Sequence, residues 1–300
     1  MKSFVLYHYP CADGVFAALA AYCSQKLENA VFIGHTTYGG LPQSQSLLDQ
    51  MTLDDHVYLL DFIGQDDFVK QVSQKVHKVV VLDHHKTAIE YVDQWKPLPT
   101  NVEVVMDLER SGATIALDYF QPPTTSELRM KYAHVEDNDL WRHALPRTRE
   151  FSQGLFAKRL EYDHQKNPEI FNQLVDLDLE SLIFIGEKSL KERDVKIAEL
   201  LQTRKLIWFV DDDVKCYCVH VEDSDLRSEL GNQLAALSSK ESGMTSMGVV
   251  SYKKDPETMN VSLRSINGFD TTQISKRYGG GGHAAASGFI VNQAIFDSFF

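Results

Sequence analysis

Val79-Val80-Val81-Leu82-Asp83-His84-His85-Lys86 decides how the chain reads: four apolar residues run directly into an acid and two histidines. An apolar run this short fits a strand buried on both faces, as in a parallel sheet. Its polar residues then stand at the carboxyl end, the edge at which open α/β sheets take ligands. A strand that happens to end in a polar loop would account for one such run. It accounts poorly for three, and two more are present. His56-Val57-Tyr58-Leu59-Leu60-Asp61 ends in an acid, and Phe4-Val5-Leu6-Tyr7-His8 ends in a histidine.

Outward from these runs, residues 4–8, 30–33, 56–61, 78–83 and 102–106 read as strands, and 15–26, 47–51, 68–76 and 111–120 as helices. Strands alternating with helices of this length imply βαβ units and a parallel sheet. Asp13 and Gly14 stand at a helix start, where Asp serves as an N-cap, and Ser111 does the same for a later helix. After Pro122-Pro123 the pattern turns helical and passes through Glu136-Asp137-Asn138-Asp139-Leu140-Trp141. From residue 206 shorter strands and helices alternate differently, ending with Gly279 to Gly282, His283 and Ala284-Ala285-Ala286-Ser287-Gly288-Phe289. The expected class is α/β, with a parallel-sheet domain at 1–187, a linker helix at 188–205 and a smaller α+β domain at 206–300.

A chain of 300 residues is long enough for two such cores. The formal net charge of -12, with no Lys/Arg-rich block, argues against nonspecific binding of long nucleic acid and favours a short substrate. No apolar run is long enough to cross a bilayer, and the chain enters a strand pattern at once, without leader-like features. No membrane partner is expected, and the expected location is the cytoplasm. The four cysteines, Cys11, Cys23, Cys216 and Cys218, do not suggest a disulfide framework. Cys216 and Cys218 alternate with Tyr217, as core residues on one face of a strand.

The polar residues at the strand ends are His8, Asp13, Asp61, Asp83 and His84, to which the helical part adds Asp137. Carboxylate and imidazole without thiolate suit Mn²⁺ or Mg²⁺ better than structural zinc. Two such ions about 3.5–4 Å apart can hold a bridging water and clamp a phosphoryl group. Asp61, between two strand ends, is the natural bridge.

Asp83-His84-His85 at a strand end, an upstream His and Asp-Gly element, a solitary strand-end Asp, a later Asp and a terminal Gly-Gly-Gly-Gly-His together resemble the DHH phosphoesterase superfamily with its DHHA1 domain. The resemblance runs through nearly the whole chain in order. It implies a metal-dependent phosphohydrolase with its active site in a cleft between two domains. By motif, His8 would bind a first ion, Asp13 and His84 a second, Asp61 both, and Asp137 would complete the second, with Asp139 as the alternative. Asp83 and His85 would orient ligands and the attacking water, with a general-acid role open to them, and Asp83 could also touch metal. The sequence departs from the pattern at Cys11, which stands where the family carries an acid ligand. It is read either as a softer ligand or as a small buried residue of the turn.

The second domain would hold the substrate. Glycine backbone can approach an anion closely, so Gly281, Gly282 and His283 are candidates, with Arg264 to fork phosphate oxygens. Lys276 and Arg277 fit a solvated helix end. Tyr9, Tyr38 and Phe269 could stack on a base, but aromatic residues are more often core and are not assigned; His35, His56, His77, His134 and His143 read as structural. The expected reaction is hydrolysis of short oligonucleotides or of nucleotides such as 3'-phosphoadenosine 5'-phosphate by a metal-activated water. The rivals are a polyphosphatase or pyrophosphatase, and a nucleotide-binding protein weakened in catalysis by Cys11. Oligomeric state and digestion polarity are left open.

Overall fold

The computed structural model describes residues 1–35, 44–64, 67–222, 224–253 and 255–300, so Tyr38 lies outside the described residues. The chain divides into Met1–Leu190 and Lys191–Phe300. The first unit begins β1 (Ser3–His8), α1 (Ala12–Ser24), β2 (Ala30–His35), α2 (Ser44–Leu48), β3 (His56–Leu60), α3 (Phe68–Ser73) and β4 (Lys78–Asp83). It continues with α4 (Lys86–Gln94), β5 (Val102–Met106), α5 (Gly112–Phe120), α6 (Ser126–Asp139), α7 (Thr148–Ala157) and α8 (Ile170–Asp176). Its five strands are all parallel, in the order β2-β1-β3-β4-β5.

The apolar run at Val79 has no polar alternation because both faces of β4 are covered. Val80 and Leu82 join Tyr7 and Leu60 in a core with α1 and α5, while Val79 and Val81 join Leu6 and Leu59 on the opposite face. All four β4 side chains are at most 1 % exposed. Each stabilises the unit by about 1.5–3 kcal/mol relative to an exposed position. β4 reaches α4 through His84 and His85 alone, and His85 is the N-cap of α4.

Helix α9 (Leu179–Gln202) starts before the expected residue 188. Leu182 and Ile183 anchor its beginning in the first unit's core, and Ile197 belongs to a core of the second unit. The second unit then contains β6 (Lys205–Phe209), β7 (Val214–His220), α10 (Arg227–Ser238), β8 (Met247–Lys253) and β9 (Thr258–Ser265). It ends with α11 (Thr272–Arg277), β10 (Gly281–His283), β11 (Ala286–Asn292) and α12 (Gln293–Asp297). Its sheet runs β10-β11-β9-β8-β7-β6, antiparallel except between β7 and β8. Cys216 and Cys218 are buried together on one face of β7. Among the described residues, no helix is long and apolar enough to cross a membrane.

Candidate metal centre

The chain leaves β1 for β2 on one side and later returns to β3 on the other, so the crevice at the carboxyl ends of β1 and β3 is the switch point of this sheet order. His8 ends β1 and Asp61 follows β3. Across that crevice His8 Nδ1 lies 3.0 Å from Asp61 Oδ2. Asp61 takes a left-handed backbone, φ 63°, a conformation that Asp tolerates better than most residues. Its amide donates to the Leu82 carbonyl at 2.8 Å, which holds the bend against the end of β4.

Asp61 Oδ1 turns toward the next strand end: His84 Nε2 is 3.3 Å away and His85 Nδ1 3.9 Å. This oxygen is buried and receives no well-formed hydrogen bond. His84 Nε2 also lies 3.6 Å from Asp13 Oδ2 and 3.5 Å from Asp139 Oδ2. Burial opposes charge on His84, yet Asp61, Asp13 and Asp139 push its pKa up to about 10. Burial likewise opposes charge on Asp61, but the hydrogen bond with His8 and the close approach of His84 and His85 hold its carboxyl well below the usual range. Burial and the neighbouring Asp61 push Asp139 up to about 6. Three carboxylates, those of Asp61, Asp13 and Asp139, thus crowd around His84 Nε2.

Asp13 sits in the first turn of α1, and the N-cap of that helix is Cys11, so the expected capping role of Asp13 is corrected. Asp13 serves a different helix. Its Oδ2 accepts from the Gly112 amide at 2.6 Å and its Oδ1 from the Ala113 amide at 2.9 Å. The unpaired amides and positive end of α5 thereby hold the carboxylate. That approach requires glycine: a Cβ on Gly112 would lie 2.7 Å from Asp61 Cβ and 2.9 Å from Asp13 Oδ2. Ser111 caps α5 as expected, accepting from Thr114 N. Glu136 Oε2 fixes the start of that helix by accepting from the Ser111 amide at 3.1 Å, from Arg110 Nε at 3.2 Å and from the Thr114 hydroxyl. Sequence reading missed Gly112 and Glu136. The available signal was a glycine directly after a capping serine, where helix propensity disfavours it.

Asp83 accepts from the amides of His84 and His85 at 2.7 and 3.1 Å, and its Oδ1 is 2.6 Å from His85 Nδ1. It orients His85, as a carboxylate partner does for a ligand or catalytic imidazole.

Among the described residues, three sets of side chains can each bring ligand atoms within 4.8 Å of one another: His8, Cys11 and Asp61; Asp61, His84 and His85; Asp13, His84 and Asp139. The donor set, the buried unsatisfied Asp61 oxygen and the glycine cradle at Gly112 all fit divalent cations. Asp137 is not among them. Its carboxylate accepts from Ala144 N, Leu145 N and Thr148 Oγ1 at 2.8, 3.0 and 2.6 Å, and so closes the loop before α7. Asp139, two residues on and so about 200° around the helix, faces the cluster instead. The preference for Asp137 assumed that Leu140 and Trp141 pack inward, but Trp141 is 44 % exposed. Asp137→Asn is expected to destabilise the protein by about 3 kcal/mol in denaturant melts, by leaving buried donors poorly matched. Asp139→Asn is expected to melt like the parent and to lose metal affinity; the opposite assignment of the two effects would restore Asp137 to the centre.

In the second unit, His283, Ala286, Arg264 and Gly248 stand in register across four neighbouring strands. Paired residues share a sheet face, so His283 and Arg264 lie on the same face, two strands or about 10 Å apart. The guanidinium of Arg264 donates to Ser228 Oγ and to the Leu263 carbonyl, each at 2.9 Å. Gly281 and Gly282 form the edge strand β10, which corrects the picture of an open loop. Gly282 needs its φ of 135°, whereas a Cβ on Gly281 would meet nothing within 4 Å. Arg277 is paired with Asp212 at 2.9 Å. Tyr9 lies under the Lys166 ammonium, and Phe269 packs against the core of this unit.

An all-parallel sheet with a buried carboxylate and imidazole centre at its switch point, followed by a mixed-sheet unit, defines a class of two-unit α/β proteins equipped for divalent cations. Residues 215–299 match the DHHA1 domain family. That match supports the resemblance to the DHH/DHHA1 superfamily carried by Asp83-His84-His85 and the terminal glycines. The chain is 25 % identical over 322 residues to the oligoribonuclease NrnB of Bacillus subtilis, covering 98 % of this chain and 74 % of that protein. It is 26 % identical over 295 residues to the uncharacterized protein R106 of Acanthamoeba polyphaga mimivirus, and the match spans 95 % of this chain but 66 % of the relative. Its fold resembles that of a pGpG-specific phosphodiesterase, PggH, from Vibrio cholerae, with a TM-score of 0.52 at 12 % identity over 99 % of this chain and 96 % of that one. An exopolyphosphatase-related protein from Bacteroides fragilis gives 0.50 at 13 %, over 96 % and 86 %.

Proposed function

We propose that the chain is a metal-dependent phosphoesterase that hydrolyses short phosphorylated nucleotides or oligonucleotides. The observation that carries this reading is Asp61, whose two carboxylate oxygens face different partner sets, His8 on one side and His84 on the other. His8, Asp13, His84 and Asp139 are the side chains that would hold two divalent cations with Asp61 shared between them. Such ions supply a water of lowered pKa and neutralise phosphoryl oxygens. The protein contributes the orientation. Asp83 fixes the orientation of His85 through Nδ1, and His85 would exchange a proton with the attacking water or the leaving oxygen. Arg264, Gly281, Gly282 and His283 would hold phosphate. The oligoribonuclease relative and the net charge of -12 support a short substrate.

The test is turnover by the full chain with Mn²⁺ on dinucleotides, short RNA, 3'-phosphoadenosine 5'-phosphate and polyphosphate. Metal-dependent turnover of the nucleotide substrates, falling with RNA length, is expected. Turnover confined to polyphosphate would overturn the reading.

Metal uptake is expected to release a proton from His84. Its pKa of about 10 means that the metal-free protein holds that proton at neutral pH, and a bound ion must displace it. Apparent Mn²⁺ affinity should therefore rise about tenfold per pH unit while His84 is still protonated. Calorimetry in buffers of different ionisation enthalpy reads the proton directly, and pH-independent uptake would exclude His84 as a ligand.

A further inference from the structure

Cys11 is the N-cap of α1 and stands beside the carboxyl end of β1, where its Sγ shares a cluster with His8 and Asp61. The Asp13, His84 and Asp139 cluster carries no sulfur. The two neighbouring positions therefore differ in softness: one offers nitrogen, sulfur and oxygen, the other nitrogen and two carboxylates. The Asp61 side chain that joins them is 1 % exposed, and its Oδ1 lacks a well-formed hydrogen bond, which is the mark of an acceptor awaiting a cation. Cys11 forms no disulfide.

We propose that Cys11 is a metal ligand, so that the His8, Cys11 and Asp61 position selects a thiophilic divalent ion such as Zn²⁺ or Co²⁺ while the Asp13, His84 and Asp139 position takes a harder one. Soft ligands favour soft or borderline metals and carboxylates favour Mg²⁺ and Mn²⁺. Binding replaces the S–H bond by a sulfur–metal bond and releases the proton to solvent. The inference rests on the metal-centre reading above and extends it to the identity of one ion.

Cobalt substitution tests it without reference to turnover. The metal-free full chain is titrated with Co²⁺ while bound metal is counted by equilibrium dialysis and thiolate-to-cobalt charge transfer is followed in the near ultraviolet. Two bound ions with a charge-transfer band are expected. Cys11→Ser should abolish the band and weaken one ion by at least about tenfold. Cys11→Asp should also abolish it, retain two ions and shift preference at that position from Zn²⁺ toward Mn²⁺. Cys23→Ser should leave the band unchanged. Two bound ions without the band, or a band that survives in Cys11→Ser, would overturn the proposal and leave the metal centre standing. Failure to bind any ion would overturn both.

Discussion

Asp61→Asn is expected to lower turnover by about 10³-fold or more while the protein stays folded. The change is isosteric and keeps the amide bond to Leu82, so the bend after β3 survives. What is lost is the charge that faces both ligand sets. His8 and His84 would then confront each other across a neutral amide, and metal would be held by two disconnected half-sites. The measurements are Mn²⁺ stoichiometry and kcat on the preferred nucleotide, with circular dichroism as the check on folding. A folded variant that still binds two ions and turns over at the parent rate would remove Asp61 from the bridging role. Linkage in the metal-free state runs two ways. The depressed Asp61 carboxyl contributes stability that is present above its ordinary pKa and is lost as pH falls. The raised His84 contributes stability that is present below 6.5 and is lost as pH climbs through about 10.

Gly112→Ala is the second large effect, and it runs against helix propensity. In an exposed helix the change would stabilise by about 1 kcal/mol. Here the added carbon would sit 2.7 Å from Asp61 Cβ and 2.9 Å from Asp13 Oδ2, so the start of α5 or the carboxylates must move. A displacement of about 1 Å costs on the order of 10²-fold in rate. The expected result is a folded protein with metal affinity and kcat both reduced by about 10²-fold. Parent-like kinetics would show that the α5 terminus yields without disturbing the centre.

Much of the first unit was legible because its signals are local. The apolar runs at Val79, Val57 and Phe4 carry no alternation, as strands covered on both faces should not. Each ends in the acid or histidine that the structure gathers at the switch point. Helices marked by Ser111 or by the alanines after Asp13 appear within a few residues of where the pattern places them. Helix α4 escaped notice because it begins directly after His85, with no separate capping signal between strand and helix.

The sequence by itself determined which residue types reach the carboxyl edge of the sheet, since strand direction and the length of an apolar run are properties of neighbouring residues. Tertiary structure alone set which of Asp137 and Asp139 faces the cluster. Both lie on one helix, and the rotation of that helix against the sheet is set by distant packing. It also decided that Asp13 is held by the amides of α5, a contact between residues 99 and 100 positions apart in the chain. Periodicity describes each element about its own axis, and which faces meet is settled when the whole core closes.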